Sequence, residues 1–105
     1  MSGRTNGQGA AVAAPVARVQ LGRTYVTRAA VEALAAAGVN AADLLARHER
    51  GDWGEVGAED WAANDHDLAH GGRLLSAYTL PTGVRTWVIT EWDRSATTVL
   101  LPEDY

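Results

Sequence analysis

Residues 73–105 read RLLSAYTLPTGVRTWVITEWDRSATTVLLPEDY, and this stretch decides the fold. Apolar and polar residues alternate in its first part, and its middle part is rich in the β-branched and aromatic residues that favour strands. Pro81–Gly83 has the composition of a hairpin loop and Asp93–Ala96 that of a turn, while Pro102 ends the ladder because proline has no N–H to donate. The stretch therefore predicts an antiparallel meander of three strands, Arg73–Leu80, Val84–Trp92 and Thr97–Leu101.

The segment before the meander predicts helices. Thr27 is a favourable N-cap, apolar residues follow it at helical spacing, and Gly38 supplies a left-handed stop. Asn40 is expected to cap a second helix that ends near Gly51, so the two helices form an αα-hairpin. A third helix is predicted over Ala58–His70.

Together these elements predict one α+β domain over residues 18–105, with a helical N-terminal half packed on a three- to four-stranded antiparallel meander. The fourth strand is a short edge strand within Arg18–Val26. Residues 1–17 have low complexity and no periodic pattern, and we expect them to form a flexible arm. Trp53 lies in a turn between two glycines, so we expect its side chain to fold onto the core as a plug.

Composition narrows the classes of function. The chain has no cysteine, which excludes disulfides and thiolate metal sites and fits a reducing cytoplasm. No apolar run approaches the roughly 18 residues that span a bilayer, so we expect a cytoplasmic protein without a membrane partner. The formal net charge of −4 argues against broad binding to nucleic acid and leaves at most a local groove of Arg residues. No cofactor loop or nucleophile motif is present, and no cofactor is expected.

His66 and His70 lie four residues apart on the predicted third helix, so their imidazoles share one face. Such a pair can begin a zinc or nickel site, which would still need a third ligand from elsewhere. The favoured alternative is two exposed histidines near a helix C-terminus, where positive charge is stabilised. His48 is interpreted as a residue at the boundary of the core and not as a catalytic base.

The segment between Arg50 and Arg73 carries six acidic residues and no Arg. An acidic face of this density can dock on a basic protein partner. The alternative is a solvated helix face whose first-turn acids suit the helix dipole. The candidate binding residues on this face are Asp52, Glu55, Glu59 and Asp60.

The tip of the last hairpin, Glu91–Ser95, holds two carboxylates, a guanidinium, a hydroxyl and an indole within five residues. In a structural interpretation, side chain–backbone hydrogen bonds from Asp93 and Ser95 stabilise a tight turn, Arg94 caps it and Trp92 packs on a neighbour. As a recognition surface, the tip offers Trp92, Asp93 and Arg94, with Arg85 nearby in the same hairpin.

A catalytic interpretation of the same region is also open. Arg94 and Arg73 would hold a phosphate, and Glu91 would act as a general base. The reaction would then need no metal ion.

The block from Gly51 to Tyr105 resembles a family of small bacterial proteins that occur on plasmids, phages and other mobile elements. The residues that carry this resemblance are GDWGEV, the pair Asn64-Asp65, GGRLLSAY and WVITEWDRSATTVLLPEDY. The resemblance implies a mobile-element context and no particular activity.

The architecture is similar to that of barnase, colicin and RelE-like ribonucleases, in which helices precede an antiparallel meander. Barnase-type enzymes place a catalytic His in the hairpin near the position of Arg94 here, whereas RelE-like members work with Arg and Tyr. The resemblance implies that Arg73, Tyr78, Arg85 and Arg94 are the residues of a ribonuclease site. The ribonuclease hypothesis takes Arg94, Arg73, Tyr78 and Glu91 as its catalytic set.

Two hypotheses follow. The leading one is a non-catalytic accessory protein of a mobile element that binds a protein partner through the acidic face and the aromatic hairpin, in a regulatory or anti-defence role. The alternative is a small toxin-type ribonuclease. A dimer formed through exposed strand edges is compatible with either hypothesis.

Overall fold

A computed structural model describes residues 17–105. The fold is α+β, with one short strand and three helices followed by the other three strands of a four-stranded sheet. The predicted flexible arm, residues 1–17, lies outside the described residues except for Ala17. In chain order the elements are β1 (Arg23–Val26), α1 (Arg28–Ala37), α2 (Ala41–Glu49), α3 (Ala58–His70), β2 (Leu74–Thr79), β3 (Arg85–Thr90), β4 (Ala96–Leu100) and a 3₁₀ turn (Pro102–Asp104).

The sheet has the strand order β1-β4-β3-β2. Its last three strands form the predicted antiparallel meander, because the β2–β3 and β3–β4 pairs are both antiparallel. β1 pairs with β4 in parallel, from Arg23 opposite Ala96 to Val26 opposite Val99. The expectation of a wholly antiparallel sheet was therefore wrong, and the sheet is mixed. A tight hairpin imposes antiparallel pairing, but β1 is joined to the meander through three helices, so no turn dictates its direction.

The helices begin and end close to the predicted positions. Thr27 Oγ1 accepts a hydrogen bond from the Ala30 N–H at 3.2 Å, and Gly38 ends α1 in the left-handed conformation with φ 68°. Asn40 occupies the N-cap position of α2 without a capping hydrogen bond from its side chain. The chain bends by 103° between α1 and α2. Among residues 17–105 no single helix has the length and apolar character of a membrane span. The bent pair α1 and α2 meets these criteria only when the two helices are taken together.

Two apolar clusters stabilise the fold. In the larger one, α1 and α2 cover one face of the sheet, with Leu34 and Leu44 packed on residues that include Val88 and Val99. In the smaller one, Trp53 packs with Val19 and Leu74 and is 0% exposed, which confirms its predicted role as a plug.

The outer edge of β2 is closed by two segments. The backbone around Trp53 pairs with Ala77, which donates to the Trp53 carbonyl at 3.1 Å and accepts from the Glu55 N–H at 2.7 Å. The buried Asn64 side chain of α3 donates to the Leu75 carbonyl at 2.7 Å and accepts from its N–H at 3.1 Å. An unpaired strand edge is a template for association with another chain, so these contacts remove that template from β2.

Candidate functional site

The tip loop, residues Glu91–Ser95, is held in one conformation by its own hydrogen bonds. Glu91 N–H donates to the Ala96 carbonyl at 3.0 Å, and Arg94 N–H donates to the Glu91 carbonyl at 2.9 Å. Asp93 Oδ1 accepts from the Ser95 N–H at 3.0 Å, as predicted from the residue types. The Ser95 side chain, and then its backbone N–H, hold the pKa of the Asp93 carboxyl below its usual range.

Arg94 ties the tip loop to the end of α3. Its Nη1 donates to the Gly72 carbonyl at 2.5 Å and its Nη2 donates to the Asp67 carbonyl at 2.9 Å. Nη1 also lies 3.2 Å from the Glu91 carbonyl and 3.3 Å from that of Trp92. Arg94 is the one non-glycine residue with positive φ in the described chain, at 61°, a conformation that costs an L-residue about 1–2 kcal/mol. The bonds of its guanidinium to carbonyl oxygens offset this cost.

Beneath the tip loop lies a buried chain of hydrogen bonds that begins at His48. His48 Nδ1 lies 2.6 Å from Ser76 Oγ, and Nε2 lies 2.8 Å from Thr90 Oγ1. Thr90 Oγ1 lies 2.7 Å from Thr97 Oγ1, which donates to the Leu21 carbonyl at 2.7 Å. The four side chains of this network, His48, Ser76, Thr90 and Thr97, are 0% exposed.

The Leu21 carbonyl sets the direction of every bond in this network, because a carbonyl can only accept. Thr97 uses its proton on Leu21, so it accepts the proton of Thr90, which in turn accepts from His48 Nε2–H. Nδ1 of His48 then accepts the hydroxyl proton of Ser76. The imidazole is held as one neutral tautomer, and burial, followed by the charge of Arg94, lowers its pKa from 6.5 to about 4.

Trp92 projects from this rigid loop into solvent. Its side chain is 70% exposed, the largest exposure among the large apolar residues of the described chain. The expectation that Trp92 packs on a neighbour was wrong, because most of its side chain faces solvent. Glu91 and Asp93 beside it are also exposed.

His66 and His70 lie near the tip loop, on the last turns of α3. Their rings stack with centroids 4.4 Å apart, and His70 Nδ1 donates to the His66 carbonyl at 2.9 Å. His66 Nδ1 lies 3.3 Å from Asp67 Oδ1. Within residues 17–105, no group of three or more His, Cys, Asp or Glu side chains is placed to hold one metal ion.

The four residues of the catalytic interpretation divide between the two ends of β2. Arg73 lies just before the strand and its guanidinium contacts the Tyr105 hydroxyl and ring. Tyr78 lies five residues further on, about 16 Å along the strand at ~3.3 Å per residue. Its hydroxyl donates to the Asp52 carbonyl at 2.5 Å, and burial raises its pKa to about 12. Tyr78 therefore contributes to packing at one end, while Arg73, Glu91 and Arg94 lie toward the other.

The acidic face is smaller in the fold than in the sequence, because Arg residues from other segments pair with it. Arg47 Nε lies 2.7 Å from Asp52 Oδ2, and this hydrogen bond holds the pKa of the Asp52 carboxyl below its usual range. Arg85 Nη1 lies 3.8 Å from Glu55 Oε1. Glu59 and Asp60, on the first turn of α3, are exposed and form no ion pair with any residue in the range 17–105. Asp65 is also exposed and has no ion pair in this range, although it accepts the Trp53 Nε1–H, so these three carboxylates remain as the unpaired acidic surface.

The interpretation of His48 as a residue at the boundary of the core was wrong, because its side chain is 0% exposed. The signal was present in the strands, because Ser76, Thr90 and Thr97 occupy positions that face the core and need polar partners once buried. The hydrogen bonds among His48 and these side chains place a buried polar network under the tip loop.

Comparisons with known proteins do not identify a family. The sequence matches no protein-family model, and comparison with curated proteins and with solved structures gave no match. The function is therefore argued from the geometry of the chain itself.

Proposed function

We propose that this protein is a non-catalytic binding module that engages a protein partner through the tip loop, with Trp92 as the anchor. The observation that carries the proposal is an indole 70% exposed on a loop that the fold holds rigidly. Tryptophan is among the residues that dominate the energy of protein interfaces, because it buries a large apolar area at little cost in conformational entropy.

The support beneath the loop favours binding. Arg94 anchors the loop to the carbonyls of Gly72 and Asp67, and the network of His48 fills the space below it with satisfied polar groups. A loop that is already ordered loses little conformational freedom when a partner closes over it, so more of the contact energy appears as affinity.

The charges around the indole indicate the chemistry of the partner. Glu91 and Asp93 flank Trp92, and both carboxylates are exposed. The complementary surface is an apolar pocket rimmed by Lys or Arg side chains. Exposed charges of this kind are screened by salt, so binding should weaken as ionic strength rises.

The biological setting is part of the same proposal. The resemblance of GDWGEV, GGRLLSAY and WVITEWDRSATTVLLPEDY to proteins of plasmids and phages supports a mobile-element context, in which this protein has a regulatory or anti-defence role. The lack of cysteine supports a cytoplasmic location.

The test begins with affinity capture from the native host by three forms of the protein: wild type, Trp92→Ala and Trp61→Ala. Trp61 is the matched control because it is also an exposed tryptophan, 37%, and lies on α3 outside the tip loop. We expect one partner that wild type and Trp61→Ala retain and Trp92→Ala loses. Calorimetry with the purified partner should then show an affinity that falls between about 50 and 500 mM salt. Retention of every captured partner by Trp92→Ala contradicts the proposal.

Growth on expression tests the ribonuclease alternative. Arrest of growth that Arg73→Ala or Glu91→Gln abolishes, with each variant folded, would replace the binding proposal by a catalytic one. Arg94→Ala is a poor probe for this purpose, because loss of its bonds to Gly72 and Asp67 perturbs the loop itself.

A further inference from the structure

The two edges of the sheet differ in whether other segments cover them. The edge of β2 is closed by the backbone around Trp53 and by Asn64, whereas β1 is the other edge strand and is exposed over Arg23–Tyr25. Arg23 N–H donates to the Ser95 carbonyl and Thr27 N–H to the Val99 carbonyl, both at 3.0 Å. In a parallel ladder alternate residues bond to the same neighbour, so the N–H and C=O groups of Thr24 and Val26 point away from β4.

These outward groups have no hydrogen-bond partner among residues 17–105. The edge also lacks, in that range, the devices that usually block association, since no proline, bulge or covering segment lies on it. β1 therefore presents donors and acceptors at the spacing that an additional strand would use.

An apolar groove of about 270 Å³ begins where β1 ends. Val26 lines it from the strand, Val31 and Leu34 line it from α1, and Val39 lines it from the loop after that helix. Val31 is half exposed. In a strand every second side chain points to the same face, so a peptide paired with Val26 would direct an apolar side chain into the groove.

Two cations flank the edge. Arg23 begins β1 and Arg28 begins α1, and both are exposed and take part in no ion pair with residues 17–105. They favour an occupant that carries carboxylates at its ends. They also disfavour a second copy of this chain, because antiparallel pairing of two β1 strands would bring Arg23 of one copy toward Arg28 of the other.

We propose that the free edge of β1 and the adjoining groove bind an extended peptide segment of a partner protein by strand addition, with apolar side chains at alternate positions and acidic residues at its ends. This site is separate from the tip loop and does not depend on the function proposed for it.

The experiment uses a synthetic peptide of alternating Val and Thr flanked by Glu, titrated into the full-length chain and followed by NMR and amide hydrogen exchange. We expect slowed exchange at the amides of Thr24 and Val26. Thr24→Pro removes an outward N–H while leaving the bonds of Arg23 and Thr27 to β4, so it should lower affinity about tenfold or more. Thr24→Val keeps the N–H and should bind as wild type does.

Further variants and a second peptide test the site even if Thr24→Pro does not fold. Val31→Asp places a charge in the groove without touching the strand edge, and it should also weaken binding about tenfold or more. Trp92→Ala should bind the peptide as wild type does, which separates this site from the tip loop. A version of the peptide flanked by Arg should bind more weakly than the one flanked by Glu.

Three results would overturn the proposal. The first is no binding of the Glu-flanked peptide, and the second is equal binding by wild type, Thr24→Pro and Val31→Asp. The third is a wild-type dimer in sedimentation that Thr24→Pro dissociates, because the occupant of the edge would then be a second copy of the chain.

Discussion

Two turns of this protein each place a tryptophan beside an aspartate, and they treat the indole in opposite ways. Trp53 is fully buried, its Nε1–H donates to Asp65 Oδ1 at 2.9 Å, and its ring packs edge-on against His48 with centroids 5.4 Å apart. Trp92 is largely exposed and its indole makes no hydrogen bond to any residue of the described chain.

The two turns share one type of hydrogen bond, with Trp53 inside its turn and Trp92 one residue before its turn. Asp52 Oδ1 accepts from the Gly54 N–H at 3.1 Å, and Asp93 Oδ1 accepts from the Ser95 N–H at 3.0 Å. Each aspartate thus stabilises its turn by bonding two residues ahead. The hydrogen bond in each turn therefore fixes the backbone conformation. Whether the indole is buried or exposed depends on the elements that pack against the turn.

The largest effect should come from removing the buried indole. Trp53→Ala should lower the free energy of unfolding by about 3–5 kcal/mol, because it leaves a cavity between α2, α3 and β2. Trp53→Phe keeps most of the apolar contact and loses the bond to Asp65, so it should cost about 1–2 kcal/mol. Urea denaturation measures both, and a loss below 1 kcal/mol for Trp53→Ala would show that the plug contributes little.

The second effect concerns pH and the network under the tip. The unfolded chain protonates His48 near its ordinary pKa of 6.5, whereas the folded protein does so only near pH 4. Between these values the unfolded state binds more protons, so stability should fall as pH is lowered from about 6.5 to 4, by roughly 3 kcal/mol. Denaturation as a function of pH measures this slope.

His48→Gln is the control for the pH dependence. Glutamine retains a donor and an acceptor for Ser76 and Thr90 but does not titrate. The variant should be less stable than wild type at neutral pH and should lose most of the slope above pH 4. A slope that persists unchanged would assign the dependence to other groups.

The third effect concerns the hydrogen bonds by which Arg94 holds the tip loop. Arg94→Ala should cost about 2 kcal/mol, since it removes the bonds to Gly72 and Asp67 and keeps a Cβ in the left-handed conformation. Arg94→Gly removes the same bonds but relieves that conformation, so it should be about 1 kcal/mol more stable than Arg94→Ala. Equal stability of the two variants would mean that the positive φ stores no strain.

The smallest effect on stability should come from the exposed indole. Trp92→Ala should change the free energy of unfolding by less than about 0.5 kcal/mol, because little of its area is removed from water on folding. The same variant should lower affinity for the partner about tenfold or more. A marked loss of stability would show that Trp92 is part of the core, and the contrast with Trp53 would fail.

Much of the fold follows from local patterns. Alternation predicted β2, the content of β-branched and aromatic residues predicted β3, and the flanking turn and Pro102 predicted β4. The bounds of α3, Ala58–His70, also agree with the prediction. The αL stop at Gly38 and the turn bond from Asp93 to Ser95 follow from residue types. Each of these features depends on residues close in sequence, whose conformational preferences the chain itself specifies.

Other features depend on contacts between distant segments, and the sequence alone does not show which of these segments meet. Arg47 pairs with Asp52, and Arg85 approaches Glu55, so two of the six acidic residues in this run have an Arg beside them in the fold. His48 meets Thr90, 42 residues away, and only that contact makes it a buried neutral imidazole.

By itself, the sequence determined the helices, the meander and the turn at the hairpin tip, because short-range propensities and hydrogen bonds decide them. The tertiary structure decided the parallel direction of β1, the sealing of one sheet edge and the exposure of Trp92. In each case the deciding partner lies in another element, and its position depends on how the whole chain packs.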